Sequence, residues 1–134
     1  MTQRRAVVDA SALIKLLVDA GAGGEVVARR LRGAELAAPD HVAVEVMSAL
    51  RRLKLARLIG ETEARLALDA FWALPIQRWP LEAQAERTWQ LGSTLSTYDG
   101  AYVALAERLG APLLTADARL ARASGPTCVI EVFA

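Results

Sequence analysis

The chain has 134 residues, of which 54% are hydrophobic, and a formal net charge of +1 at pH 7. These values are typical of one globular domain spanning residues 1–134, and they exclude a disordered chain or a strongly basic nucleic-acid-coating protein. No apolar run approaches the roughly 18 residues of a membrane span, and Asp9 and Lys15 interrupt any signal-like N-terminal stretch. We therefore expect a soluble, cytoplasmic protein that does not enter the membrane.

Short apolar strands alternate with helices along the first half of the chain. The predicted elements are a strand at 4–9, a helix capped by Ser11, a helix near 23–32, a strand at 35–39, a helix that Asp40 caps and Gly60 ends, and a helix at about 61–73.

The same alternation continues in the second half. The predicted elements are a strand, IQRW, between Pro75 and Pro80, a long helix from Pro80 to Leu91 or Gly92, a loop, a helix from Ser96 or Thr97 to Gly110, a short strand at PLL, a helix at 117–123, and a strand at TCVIEV. Continuous apolar strands separated by helices predict a parallel sheet that is covered on both faces.

Two of the predicted strands end at an aspartate, in AVVDASAL and in PLLTAD. Ligand sites in parallel sheets form beyond the carboxyl ends of the strands, so Asp9 and Asp117 are expected at the same edge. Taken singly, Asp9 is equally well explained as a turn residue that binds nearby amides, and Asp117 as a helix N-cap.

Two further acids lie within helical stretches. Glu45 is surrounded by apolar or small residues in VAVEVMSAL, which indicates that it points into the fold. The alternative partners Arg51 and Arg52 are not at the favoured i+3 or i+4 offset. Asp99 follows the predicted cap Ser96, where the helix dipole alone would favour an acid.

Four carboxylates gathered at one edge would repel one another without a counter-charge. Mg²⁺ and Mn²⁺ prefer such oxygen ligands. The chain has a single histidine, His41, and a single cysteine, Cys128, so a zinc site built from such ligands is disfavoured and an intrachain disulfide is excluded. The 16 basic residues include two lysines, an excess of arginine that codon bias explains better than phosphate binding does.

The segments VVDASALIKLL, PDHVAVEVMSAL and STYDGAYVALAERLGAPLLTADARLARA, in that order and spacing, resemble a PIN domain. More narrowly, they are similar to the VapC-type toxins of toxin–antitoxin pairs. The resemblance runs from Val7 to about Val129, and YDGAYVALAERLGAPLLTAD is its most specific part. One small departure is Gly100, where the family usually has alanine.

The resemblance implies a three-layer α/β/α sandwich around a parallel sheet of four or five strands. It also implies metal-dependent endonucleolytic cleavage of RNA, a homodimer, and a cognate VapB-type antitoxin. The family's catalytic, metal-binding acids correspond to Asp9, Glu45, Asp99 and Asp117, and its supporting hydroxyls correspond to Ser11 and Thr115. The implied cofactor is Mg²⁺, for which Mn²⁺ substitutes. The acids would bind it directly or through water, so that metal-activated water attacks the phosphate.

Two alternatives stay open from the sequence. A receiver or phosphatase domain also places aspartates at strand ends. A phosphatase would have a second aspartate where Ser11 stands, and a receiver would have a lysine late in the chain, whereas both lysines lie in the first half. A catalytically silent module that binds RNA or protein would keep the fold without the activity. Arg119 and Arg122 are candidates for gripping RNA, although a solvated helix face explains them equally simply.

Overall fold

The computed structural model describes residues 4–133 and contains a central sheet of five parallel strands. The strands lie in the order β3-β2-β1-β4-β5, and they are β1 (Arg5–Val8), β2 (Glu35–Pro39), β3 (Ile76–Trp79), β4 (Leu113–Thr115) and β5 (Ile130–Val132). The register sets Val7 opposite Ala37 on one side and opposite Leu113 on the other. β1, which is buried except at Arg5, therefore lies at the centre of the sheet.

Seven α-helices connect or flank these strands in the described residues. They are α1 (Ala10–Val18), α2 (Ala22–Leu31), α3 (Val42–Leu55), α4 (Glu61–Ala73), α5 (Ala85–Gln90), α6 (Thr97–Leu109) and α7 (Ala118–Arg122).

The helices form two layers on the sheet. α1 packs against α2, α3 and α4, whereas α6 packs against α5 and lies on β1, β2 and β4. Residues 101–106 of α6 are all buried because this helix crosses the middle of the sheet. The predicted three-layer α/β/α sandwich is confirmed, with five strands. Among residues 4–133, no helix has the length and apolar character needed to cross a membrane.

Three predicted helix boundaries in the first half are wrong. Asp9, not Ser11, caps α1, since its Oδ1 accepts a 3.0 Å hydrogen bond from the Ala12 amide. Asp40 lies in the turn before α3, and the flanking residue is His41. α3 ends at Leu55, and Gly60 instead precedes α4, where its amide donates to Oε1 of Glu63.

α3 ends early because its last turn closes on itself. The Leu58 amide donates to the Leu53 carbonyl at 3.0 Å, and the Arg57 amide donates to the Lys54 carbonyl at 3.0 Å. This pair of bonds is a Schellman motif, in which the residue after the cap takes a left-handed conformation. Arg57 has that conformation, with φ of 60°. Glycine is the usual sign of such an end, so the sequence pattern pointed to Gly60 instead.

The long helix predicted after Pro80 is in fact two 3₁₀ turns, Leu81–Gln84 and Leu91–Ser93, on either side of the short α5. Gln84 breaks the helix with φ of −126° and ψ of 21°, and its buried side chain donates to the Pro80 carbonyl. The predicted last strand shortens to Ile130–Val132, because the Thr127 amide donates to Glu107 rather than to a neighbouring strand. Ser96 caps α6 and Gly110 ends it with φ of 61°, as predicted.

Candidate active site

The acids predicted from strand ends lie at the carboxyl edge of the sheet. Asp9 directly follows β1, and Asp117 follows the adjacent β4 by two residues. The chain leaves β1 toward β2 on one side, while β4 lies on its other side, so a crevice opens at this reversal of strand order. The parallel topology therefore brings Asp9 and Asp117 to one site.

Two hydroxyl groups hold the buried Asp9 carboxylate. The Ser11 hydroxyl donates to Oδ1 at 2.7 Å, and the Thr115 hydroxyl donates to Oδ2 at 2.5 Å. Each hydroxyl also accepts an amide of the β4–α7 loop, Ser11 from Ala116 at 2.9 Å and Thr115 from Asp117 at 3.0 Å. Asp9 is thus tied to the loop that carries Asp117, and Ser11 and Thr115 make these links.

The environment of Asp9 opposes its ionisation. Burial raises the pKa of Asp9 above its ordinary value, and the hydrogen bonds from Thr115 and Ser11 offset only part of that effect. The charge of Asp99 raises this pKa further. Three hydrogen bonds use three of the roughly four lone-pair sites of the carboxylate, which leaves room for one more ligand.

Glu45 points inward from the first turn of α3, and its partners are aromatic side chains rather than an arginine. The hydroxyl of the buried Tyr102 donates to Oε1 at 2.6 Å. Nε2 of His41 lies 3.2 Å from the same oxygen. The His41 ring packs edge-on against Tyr98 and Tyr102.

These contacts outweigh the burial of Glu45. Burial by itself opposes ionisation, but His41 and the Tyr102 hydroxyl together lower the pKa of Glu45 below its ordinary value. Burial also raises the pKa of Tyr102, as does its bond to Glu45, so the phenol stays protonated and donates. Glu45 is therefore an ionised carboxylate. The Tyr102 bond fixes its Oε1, and this also sets the orientation of Oε2.

Asp99 is the acid that the other three surround electrostatically. Burial raises the pKa of Asp99, the Ser96 hydroxyl lowers it, and the charges of Asp117 and Glu45 raise it again. Asp9 feels the charge of Asp99 in turn. The charge of Asp99 therefore acts on Asp9, and the charges of Glu45 and Asp117 act on Asp99, so the other three predicted acids lie within electrostatic range of Asp99 and repel it.

Asp117 differs from the other acids because an arginine neutralises it. Nη2 of Arg119 lies 2.5 Å from Oδ2, and the Arg119 amide donates to Oδ1 at 3.0 Å. The Arg119 hydrogen bond lowers the pKa of Asp117. Asp117 is also the N-cap of α7, so the structural explanation of this residue is confirmed. Arg119 lies on a solvated helix face, as its 75% exposed side chain shows, and from there it binds an acid of the site.

A cavity of about 620 Å³ opens over this cluster. Residues of four helices and of the β4–α7 loop line it; they are Ala10, Ser11, Ile14, Val44, Glu45, Ser48, Ala49, Arg52, Tyr98, Asp117 and Arg119. Of the four acids, Glu45 and Asp117 line the cavity and Asp9 and Asp99 do not, and Arg52 and Arg119 add two guanidinium groups. This combination suits a phosphodiester held beside a divalent cation.

The donor set fits a hard divalent ion, although its arrangement is not closed around one. Within residues 4–133, no three acidic, histidine or cysteine side chains are placed so as to hold a metal together. Asp9 and Glu45 each retain an accepting position, whereas both oxygens of Asp117 are engaged by Arg119. The pKa values of Asp9 and Asp99 are raised in this all-carboxylate set, and a bound cation would favour the ionised form of both acids.

Three residues of the site were not anticipated from the sequence: His41, Tyr102 and Arg52. Weak signals for the first two existed in the helical spacing. His41 precedes Glu45 by four residues, and Tyr102 follows Asp99 by three, so each pair shares a helix face. Nothing in the pattern indicated that Tyr102 would contact Glu45, since the two lie 57 residues apart.

Comparison with known proteins agrees with this geometry. Residues 6–126 match the PIN domain family. Ribonuclease VapC12 of Mycobacterium tuberculosis is 47% identical over 128 residues, which cover 96% of this chain and 98% of that protein. Ribonuclease VapC1 of the same species is 43% identical over 127 residues, covering 94% of this chain and 96% of that protein.

A solved structure supports the fold independently. VapBC2 from Rickettsia felis, crystallised bound to a DNA fragment from their promoter, matches with a TM-score of 0.71 over 97% of this chain and 99% of that chain. Its sequence identity is 13%, so this likeness concerns the fold alone. On the family match and the identity to its relatives, this chain belongs to the PIN-domain family and, within it, to the VapC ribonucleases.

Proposed function

We propose that the acid-lined cavity is the active site of a metal-dependent endoribonuclease, and that the protein is the toxin of a toxin–antitoxin pair. The observation that carries the proposal is that Asp9 and Asp117 lie at one edge of the sheet, with Asp9 held by two hydroxyls and Asp99 subject to the charges of Glu45 and Asp117. Such repulsion costs stability unless the site serves a ligand of opposite charge.

Asp9, Glu45 and Asp99 are the residues that would hold Mg²⁺, or Mn²⁺ in its place, with Asp117 joining if Arg119 releases it. A divalent ion bound there activates water and stabilises charge on the attacking and departing oxygens of an in-line phosphoryl displacement. The retained accepting positions of Asp9 and Glu45 support this assignment.

The other side chains position these ligands and the RNA. Ser11 and Thr115 fix both oxygens of Asp9, and Tyr102 fixes one oxygen of Glu45. Arg52 and Arg119 line the same cavity and supply guanidinium groups for the phosphates of the substrate. In this proposal Arg119 exchanges its partner between Asp117 and the RNA backbone.

The proposed partners are a VapB-type antitoxin and a second copy of the chain. Support for the antitoxin comes from the names of the similar structures, which include VapBC from Salmonella typhimurium bound to DNA. The chain also exposes large apolar side chains on α3 and α4, such as Met47, Leu55 and Leu66, which suit burial against a partner. A cytoplasmic location is proposed with the toxin role.

The test is cleavage of total RNA by the purified protein with Mg²⁺, with Mn²⁺ and with EDTA. We expect cleavage with either ion, 5′-phosphate ends by sequencing, and loss of activity with EDTA. Asp99→Asn should abolish cleavage, whereas Asp69→Asn, which removes an exposed acid paired with Arg65 on α4, should not. Cleavage that persists in EDTA or in Asp99→Asn would contradict the proposal, and binding without any cleavage would identify the silent module.

A further inference from the structure

A second charged site lies at the edge of the sheet opposite the acids. A pocket of about 370 Å³ is lined by five arginines together with Ala34 and Pro112; the arginines are Arg4, Arg5, Arg29, Arg30 and Arg32. We propose that this arginine pocket binds backbone phosphates of a folded RNA substrate while the acid-lined cavity acts on a different part of the same RNA. This inference rests on the ribonuclease function proposed above.

The topology explains why these arginines meet. Arg4 and Arg5 are at the start of β1, whose other end leads to Asp9. α2 runs back across the sheet before β2 begins, so its last turn, with Arg29 and Arg30, arrives at the same amino edge. The helix C-terminus favours two of these cations locally. The helix C-terminus does not account for Arg4 and Arg5, because these two reach the pocket from the start of β1.

The charge of the pocket is poorly compensated. Within the residues that the structure describes, Arg30 alone among the five has an ion pair, with Glu131 at 2.7 Å. Arg4, Arg29 and Arg32 are exposed to solvent. Because the whole chain has a net charge of +1, five arginines at one edge leave the remainder with a net negative charge. The arginine pocket therefore concentrates positive charge at the amino edge, where Glu131 binds Arg30 and the exposed Glu35 lies opposite Arg5 in the strand register.

The composition of the pocket favours RNA over a protein segment. Guanidinium groups bind phosphate oxygens in a bidentate manner, and phosphate contacts dominate nucleic-acid affinity. Protein interfaces usually need an apolar core, and Ala34 and Pro112 are the apolar residues that line this pocket. An acidic polypeptide would find charge here but little surface to bury.

The distance between the two sites requires a folded or long RNA. Arg5 and Asp9 are four residues apart along β1, which corresponds to about 13 Å between their Cα atoms. A dinucleotide held in the acid-lined cavity is too short to reach the arginine pocket on the other edge. A folded RNA presents a second stretch of backbone, so the pocket should discriminate between these two classes of substrate.

The test compares Arg29→Gln/Arg32→Gln with a control that removes the same charge, Arg51→Gln/Arg65→Gln, in which both arginines are exposed and lie on α3 and α4. The probes are bulk tRNA and a short oligouridylate, the dinucleotide UpU, which cannot span the two sites. Binding is followed by fluorescence anisotropy in EDTA at several salt concentrations, and cleavage of both probes is followed with Mg²⁺.

The pocket variant should bind tRNA about tenfold more weakly, and the slope of log Kd against log salt should fall by about 2, one for each lost phosphate contact. Binding and cleavage of the oligouridylate should not change, and the control should match the wild type on both probes. Arg29→Lys/Arg32→Lys keeps the charges and should retain the salt slope. Melting temperatures establish that each variant is folded.

Three results would overturn the inference: equal losses in the pocket and control variants, an equal loss on the oligouridylate, or unchanged tRNA binding together with weakened binding of an oligoglutamate peptide. The last result would identify an acidic polypeptide as the occupant. If the wild type cleaves neither probe but the difference in tRNA binding persists, the proposed function fails and the phosphate-binding pocket stands.

Discussion

The phenol of Tyr102 donates a 2.6 Å hydrogen bond to Oε1 of Glu45, joining α6 to α3 beneath the acid-lined cavity. Tyr102 is 1% exposed, so its ring is fixed by packing and its hydroxyl has a defined direction. Fixing one oxygen of a carboxylate orients the other. Tyr102 is therefore a positioning residue for Glu45.

Tyr102→Phe should weaken Mn²⁺ binding by about 10- to 100-fold, the usual effect of losing a group that orients a metal ligand. The ring remains, so the melting temperature should change little. The pKa of Glu45 should rise, since the lost hydrogen bond favours its ionised form. Isothermal titration with Mn²⁺ measures the affinity without requiring RNA cleavage.

The matched control is Tyr98→Phe. Tyr98 packs against the same His41 ring at 5.6 Å, but it is 62% exposed. This variant also loses one phenol hydroxyl, and we expect wild-type Mn²⁺ affinity. Similar affinities for the two variants would show that the Tyr102 hydroxyl does not position Glu45.

The repulsion around Asp99 predicts that removing its charge stabilises the metal-free protein but weakens metal binding. Burial and the charges of Asp117 and Glu45 raise the pKa of Asp99, and these effects outweigh the lowering by the Ser96 hydrogen bond and the Arg119 charge. Asp99→Asn should therefore raise the melting temperature in EDTA by about 4 °C, the scale of 1 kcal/mol for a chain of roughly 100 to 150 residues. Added Mg²⁺ or Mn²⁺ should raise it for the wild type and not for this variant.

Differential scanning fluorimetry with and without each ion checks this prediction, and Asp69→Asn on α4 is the control. That variant loses one exposed carboxylate that is paired with Arg65, far from any like charge of the cluster. A wild-type melting temperature that does not respond to either ion would contradict the idea that the gathered acids need a cation.

The positions of the acids could be predicted from the sequence because they depend on local pattern and parallel topology. Asp9 and Asp117 follow apolar strands, and every such strand end meets at one edge. The partners of the acids could not be predicted in the same way. The contact of Glu45 with Tyr102 depends on how α3 and α6 pack around the sheet, which no local spacing determines.

The errors in helix boundaries have a related origin. Arg57 ends α3 in a left-handed conformation that arginine rarely adopts, so the pattern offered no stop before Gly60. Gln84 interrupts the helix after Pro80 because its side chain is buried and bonds the backbone, a tertiary preference within a sequence that is otherwise helical. A local Schellman motif therefore decided the end of α3, and burial of Gln84 decided the break after Pro80.

The ion pair between Arg87 and Glu107 predicts a pH dependence of stability. Burial opposes ionisation of Glu107, but Arg87 and Thr127 together lower its pKa below the ordinary value. The same arginine also donates to the Gly125 carbonyl at 2.8 Å, so the pair fastens the segment that leads to β5. Glu107→Gln should destabilise the protein at pH 7 by on the order of 1 to 3 kcal/mol.

The pKa of Glu107 is lower in the folded state than in the unfolded chain. As the pH falls, the unfolded chain therefore binds more protons than the folded protein, and the stabilisation by ionised Glu107 is lost. It is fully present above about pH 4.3, where an unfolded glutamate titrates, and it disappears as the pH falls through the folded pKa. Urea unfolding of both proteins between pH 3 and pH 7 (roughly the span of that titration) measures the difference. A difference that is constant across this range would exclude the proposed ionic contribution of Glu107.

Two glycines in helices predict opposite effects of the same substitution. A Cβ at Gly24, in the first turn of α2, would meet the backbone oxygen of Asp19 well inside van der Waals contact, and that backbone cannot move without displacing the helix start. Gly24→Ala should therefore destabilise the fold by about 1 to 3 kcal/mol, as overpacking does.

A Cβ at Gly100 in α6 would lie 3.4 Å from the Thr88 carbonyl oxygen, which is ordinary contact. Gly100→Ala should stabilise the fold by about 0.5 to 1 kcal/mol through helix propensity. Urea midpoints that move in the same direction for both variants would mean that propensity alone, and not the close approach of Asp19, determines the requirement for glycine in α2.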